Sequence, residues 1–224
     1  MGTQIAIDGP AASGKSTVAK RLATNLGGYY INTGEMYRAL THLVLQAGVD
    51  PEQNSDAVAA MLPACDLVFA CNADDEIELQ LAGVTLPRKP LRSPQVAERV
   101  SYVARIPAVR QWMVERQRLT ESLGLIIMEG RDIGTVVFPR ATHKFFVTAS
   151  PEERARRRLG QSGETVDGAT LASVAADIAA RDKMDSTRAV SPLKPADDAI
   201  LVDTTGLDID GVVDTICAHI QTPS

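Results

Sequence analysis

Short apolar runs alternate with stretches in which apolar residues recur every three or four positions. The runs at 4–8, 29–32, 125–129, 144–148 and 200–203 read as strands, the last three bounded by Gly, Pro or Asp. Helical periodicity occupies 15–26, 34–47, 107–123, 151–159, 170–184 and 207–220, with Gly27-Gly28 closing the first of these helices and Gly48 the second. Strands that alternate with helices form βαβ units, so the pattern predicts an α/β protein with a five-stranded parallel sheet wrapped by helices. One stretch, 67–86, breaks the rhythm. There Glu76, Glu78 and Gln80 alternate with Ile77, Leu79 and Leu81, a period of two that suits a half-exposed antiparallel strand, and 72–75 and Ala82-Gly83 supply turns. The expectation is a small antiparallel insert at about 63–105 in a core made of 1–62 and 106–224.

Composition narrows the chemistry. A chain of 224 residues with 45% apolar content makes one packed domain with room for an insert. Lys and Arg number 23 against 28 Asp and Glu, a net charge of −5, so no nucleic-acid partner is expected and any bound anion must be held by a local group of cations. Cys65, Cys71 and Cys217 form no C-x-x-C pair, and His42, His143 and His219 lie far apart, which argues against a disulfide framework or a structural zinc. The N-terminus has no signal-peptide pattern, and no apolar run nears the roughly 18 residues of a membrane span. A cytoplasmic protein without a membrane partner is expected. With no long apolar helix face left over, it is expected to be a monomer.

The sharpest signal is Gly9-Pro10-Ala11-Ala12-Ser13-Gly14-Lys15-Ser16-Thr17, a complete G-x-x-x-x-G-K-[ST] between a predicted strand and a predicted helix. Its glycines let backbone amides approach a phosphate, and the helix N-terminus adds its positive dipole end. Lys15 can reach the β- and γ-phosphates, and the Ser16 hydroxyl can join the shell of a Mg²⁺ that accompanies ATP. The chain is therefore expected to bind a nucleoside triphosphate. Gly130-Arg131-Asp132 follows a predicted strand, at a carboxyl-end loop of the kind where open α/β sheets bind ligands. Arg181, Asp185 and Arg188 share one face if helix runs past Ser186, and Arg154, Arg156, Arg157 and Arg158 crowd a single stretch. No G-x-S-x-G or Cys signature supports a nucleophile. Asp203-Thr204-Thr205-Gly206 fits D-x-x-G, but it lies 188 residues after Lys15 with no N-K-x-D beyond it, so it reads as the last strand's end and not as a GTPase motif. The residues alone leave open a kinase for one of several monophosphates, or a module that senses nucleotide without turnover.

Asp8-Gly9-Pro10 with the loop after it, Thr33-Gly-Glu-Met-Tyr37-Arg38, G-R-D-I-G-T-V-V-F-P at 130–139 and R-A-V-S-P-L at 188–193 together resemble the bacterial cytidylate kinase family, from about residue 4 to 219. The first motif is shared by many families, whereas the last two are specific. The resemblance implies a P-loop kinase fold in which 63–105 is an enlarged monophosphate-binding region and about 151–168 a short lid. It implies ATP and CMP or dCMP as substrates. Lys15 and its loop, with Arg154 and Arg158, would hold ATP; Arg38, Arg131 and Arg188 would reach the acceptor phosphate or the phosphoryl group in flight. Ser101, Arg110 and Asp132 would face the cytosine, Arg181 and Asp185 the ribose, and Thr33 and Tyr37 would complete the acceptor site. Lys15, Arg131, Arg158 and Arg188 are the catalytic set it implies. Two positions depart from the family pattern: Thr33 stands where Ser is frequent, and Glu129 where Asp precedes G-R-D.

Overall fold

A computed structural model describes residues 3–161, 165 and 168–221. In chain order the elements are β1 (Gln4–Asp8), α1 (Lys15–Leu26), β2 (Tyr29–Asn32), α2 (Thr33–Gln46) and α3 (Ser55–Met61). Next come β3 (Leu67–Cys71), β4 (Ile77–Leu81), β5 (Val84–Thr85), α4 (Arg88–Leu91), α5 (Pro94–Ala104) and α6 (Pro107–Arg118). The chain closes with β6 (Ile126–Gly130), β7 (His143–Thr148), α7 (Pro151–Leu159), α8 (Leu171–Thr187), β8 (Ile200–Asp203) and α9 (Ile209–Gln221).

A five-stranded parallel sheet of order β2-β6-β1-β7-β8 forms the centre, and β3-β4-β5 makes the separate three-stranded sheet, antiparallel as the period-two pattern predicts. All five residues of β1 are buried, as a strand covered on both faces requires. On one face Ile5, Ile7, Phe145 and Val147 pack against Val18 and Leu22 of α1 and Val212 and Ile216 of α9. On the other, Ala6, Ile31 and Met128 meet Ile133 and Val137, which lie on one turn of π-helix after β6. A third cluster joins α2, α5 and α6 to Leu67 and Leu79 of the small sheet. Each fully buried Leu or Ile contributes roughly 1.5–3 kcal/mol. Among the described residues no helix is long and apolar enough to cross a membrane.

Local chemistry explains where the boundaries fall. Predicted helix 107–123 stops at Arg118 and continues as a 3₁₀ turn, because the Thr120 and Ser122 hydroxyls bond back to Gln117 O and Leu119 O and Gly124 turns at φ 116°. The last helix starts at Ile209, where the Asp208 carboxylate accepts the Gly211 amide. α8 runs three residues beyond the predicted 184 from a Thr170–Ser173 capping box, so Arg181 and Asp185 do share a helix that ends beside Arg188. Helices α3, α4 and α5 are absent from the periodicity reading. Of these α5 has a legible start, Ser93 capping Val96 with Pro94 in its first turn.

Gly9, immediately after β1, fixes how the central strands approach the loop. Its φ is 150°, and a Cβ there would lie 2.0 Å from the Val147 carbonyl oxygen on β7. Gly9→Ala is expected to force β1 and β7 apart and to lower the unfolding free energy by roughly 3 kcal/mol. The check is a fall in the urea midpoint at unchanged slope.

Candidate active site

The carboxyl ends of β1, β2 and β6 open into one cavity of about 620 Å³. This is the edge at which open parallel sheets bind ligands. On the β1 side the loop turns through Ala12 at φ 57° and Gly14 at φ 90° before α1 begins at Lys15. The ammonium of Lys15 is buried and donates to Pro10 O at 2.6 Å and Ser13 Oγ at 3.2 Å. Burial, followed by the Arg131 cation, holds its pKa well below the ordinary lysine value, although Glu129 and Asp8 pull the other way.

On the opposite wall Arg110 is 2% exposed and forms a buried ion pair with Asp132. Its guanidinium lies 5.4 Å from the Tyr37 ring centroid, and its Nε has no hydrogen-bond partner. Ser101 of α5 lines the same wall and is buried. Asp185 accepts from Arg131 Nε at 3.0 Å and lies 3.6 Å from Arg188. Burial would raise its pKa, but Arg131, Arg181 and Arg188 outweigh burial and hold it below the usual range. Gly130 lets the chain pass between Thr33 and Ile133, each of which has an atom 2.7 Å from where a Cβ would sit. The Thr33 hydroxyl donates to Glu129 O at 2.8 Å and fastens the start of α2 to the end of β6.

The electrostatics are one-sided. Nine cationic side chains line the cavity against four carboxylates. Burial first, then neighbouring guanidinium groups, lowers Arg158 to about 9 and Arg38 and Arg181 to about 10. Cations crowded together in this way, with fewer carboxylates among them, make a wall suited to an anion.

Of the residues singled out in the sequence, Ala12 through Thr17, Thr33, Tyr37, Arg38, Ser101, Arg110, Arg131, Asp132, Arg158, Arg181, Asp185 and Arg188 all line this cavity. Gly9, Pro10, Ala11 and Arg154 do not. The Ala11 amide donates to Asp182 Oδ1 at 3.2 Å. Arg154 is buried behind the loop, where it pairs with Asp182 and donates to Ala11 O at 3.2 Å and Ala149 O at 3.1 Å. Of the stretch 151–168, α7 packs on α8, whereas residues 162–164, 166 and 167 lie outside the described residues. Sequence reasoning passed over Lys20, Tyr30, Asn32, Glu35, Arg92 and Gln161, and gave Glu129 no role; all of them line the cavity. Two signals were available: Lys20 lies four residues after Ser16 on one helix face, and Asn32 and Glu129 sit at the carboxyl ends of strands. The Tyr30 hydroxyl donates to Glu129 Oε1 at 2.5 Å.

A phosphate-binding loop on a parallel sheet, facing a cation-rich acceptor wall, defines a P-loop phosphotransferase. The sequence profile of the cytidylate kinase family matches residues 5–222. A cytidylate kinase of Streptococcus thermophilus is 49% identical over 213 residues, covering 95% of this chain and 93% of that protein. One from Streptococcus mutans is 46% identical over 96% and 95% of the two chains. This chain belongs to the cytidylate kinase family. A shikimate kinase structure from Bacteroides thetaiotaomicron has the same fold, with TM-score 0.52 at 10% identity over 99% of this chain and all of that one.

Arg154 thus braces the loop from behind. Arg154→Ala would leave the largely buried Asp182 carboxylate without its cation, and about 3 kcal/mol of stability should be lost. An arginine that served only ATP would leave the urea midpoint of the nucleotide-free protein where it was.

Proposed function

We propose that this chain transfers the γ-phosphoryl group of MgATP to CMP or dCMP, giving CDP or dCDP and ADP. The observation that carries the choice of acceptor is the buried Arg110–Asp132 pair on the wall of the cavity that also holds the phosphate loop. The residues at 9–17 would bind the triphosphate, with Lys15 at the β–γ bridge and Arg158 over the donor. Ser16 and Glu129 line the cavity with oxygen donors, the hard ligands that suit Mg²⁺, and Ser16 would hold the ion. When bound, Mg²⁺ neutralises charge on the donor phosphates. Arg38, Arg131 and Arg188 would hold the acceptor phosphate, Arg181 and Asp185 the ribose, and Tyr37 would support Arg110. The stretch 63–105 would form the monophosphate-binding region, and about 151–168 the lid that excludes water as a competing acceptor.

Phosphoryl transfer through a loose transition state needs alignment and positive charge more than a strong base. The cavity supplies both: guanidinium groups give fixed pairs of donors to phosphate oxygens, a geometry lysine cannot reproduce. Lys15→Met is expected to lower kcat by roughly 10²–10⁴, the range for one electrostatic catalytic group. Steady-state ADP release with CMP measures it, and a mutant that keeps half the wild-type kcat would end the assignment of Lys15.

Base choice follows from hydrogen-bond polarity. Cytosine offers an amino donor at N4 beside acceptors at N3 and O2. An ionised Asp132 only accepts and Arg110 only donates. Uracil in the same pose would set O4 against the carboxylate and N3–H against the guanidinium, two mismatches at ~1–3 kcal/mol each. CMP should be preferred over UMP by on the order of 10²-fold in kcat/KM, and Asp132→Ala should narrow the gap. Equal use of both nucleotides by the wild type would overturn the acceptor assignment.

A further inference from the structure

Arg131 and Asp132 belong to a loop whose shape is held by charged side chains outside the cavity wall. After Asp132 the chain makes one turn of π-helix, Ile133–Val137, and a single turn leaves amides at its start and carbonyls at its end without partners inside it. Both ends are met by ions of the matching sign. The Asp8 carboxylate accepts the Ile133 amide on Oδ1 and the Gly134 amide on Oδ2, each at 2.8 Å. Arg118, at the end of α6, donates Nη2 to Val136 O at 2.7 Å and Nε to Val137 O at 2.9 Å. Gly134 permits the approach, since a Cβ there would lie 3.2 Å from the Lys144 side chain and 3.4 Å from Asp8 Oδ2.

The two ions connect the turn to the two halves of the site. Asp8 immediately precedes Gly9, the first residue of the phosphate loop, and is 4% exposed. Arg118 lies two helical turns after Arg110, the partner of Asp132. The turn is therefore registered against the donor loop through β1 and against the base-facing arginine through α6. We infer that Asp8 and Arg118 are positioning residues which hold Arg131 and Asp132 in register with the phosphate loop. Neither lines the cavity. Burial raises the Asp8 pKa to about 6, although both amide bonds pull the other way, so a charged group is kept there against its solvation.

The inference rests on the proposed reaction for its kinetic arm and on backbone order for its other arm. Arg118 is exposed and its replacement by Met should fold; a thermal melt establishes this. Because a displacement of ~1 Å at a reacting centre costs about 10²-fold, Arg118→Met should lower kcat/KM for CMP by roughly tenfold or more. The loss should appear in KM for CMP and in kcat, with a smaller CMP/UMP ratio, while calorimetric affinity for ATP alone stays within about twofold of wild type. Arg118→Lys, with one donor group in place of the fork, should recover part of the loss. Asp8→Asn should act in the same direction, since an amide accepts one of the two bonds and sets a donor against the other. In hydrogen exchange, peptides covering 131–138 should lose protection in Arg118→Met and, where it folds, in Asp8→Asn, while those covering α1 keep theirs.

The inference is overturned if folded Arg118→Met keeps KM, kcat, base ratio and exchange within about twofold of wild type. It is equally overturned if ATP affinity falls as far as that for CMP, since the effect would then be a general loss of structure. A wild-type protein that does not phosphorylate CMP would instead refute the proposed reaction, and exchange at 131–138 would still decide the role of Arg118.

Discussion

A surplus of positive charge gathered around one cavity, part of it buried, is the constraint from which the rest of this structure follows. Nine cationic side chains surround one cavity of about 620 Å³ in a protein whose net charge is −5. Removing cations from water and placing them side by side is unfavourable twice over, by desolvation and by repulsion. Asp132 and Asp185 answer part of it, at Arg110, Arg131 and Arg188, and backbone carbonyls answer more, as where Arg38 donates to Leu91 O at 3.3 Å. Glu35 answers Arg92 at 3.2 Å. A ligand that binds only the folded state adds its binding energy to stability, so the nucleotide-free protein is held together by everything outside the cavity.

That burden explains the arginines that do not line the site. Asp182 accepts the Ala11 amide and pairs with Arg154, while Arg157 donates to Ser13 O and to Thr204 on the loop after β8. A phosphate loop is useful when its amides face inward, so its carbonyls need donors behind them. Arg154 and Arg157 are those donors. Because Asp182 and Asp185 sit three residues apart on α8, the helix that braces the loop also holds Arg131. Donor and acceptor sides therefore share one rigid element.

Local codes made most of this legible. The phosphate loop and the period-two stretch each sit within about ten consecutive residues, and all five core strands lie within a residue of where the pattern puts them. Longer-range choices were hidden. A run of arginines at 154–158 announces an anion but not which one; Asp182, 28 residues away, is the anion that Arg154 meets in this structure. α5 was obscured because the alternating pattern next to it was extended over a region that in fact opens with a Ser-Pro helix start. Tyr30 reads as strand interior, since only the assembled sheet shows that its side chain reaches the cavity.

The Thr33 hydroxyl is committed to the fold. A hydroxyl has a single proton to give, and here Thr33 gives it to Glu129 O at 2.8 Å. What remains on that oxygen are lone pairs, which repel a phosphate oxygen. To donate to a phosphate, Thr33 would have to release the bond that fastens α2 to β6, leaving a buried carbonyl unpaired at ~1–3 kcal/mol. A guanidinium carries five N–H donors, so Arg131 and Arg188 need no such exchange. On the proposed reaction, this bonding pattern would leave the acceptor phosphate chiefly to the arginines. The hydroxyl at position 33 keeps the ends of β2 and β6 together, so that Arg38 on α2 and Arg131 after β6 face the same anion.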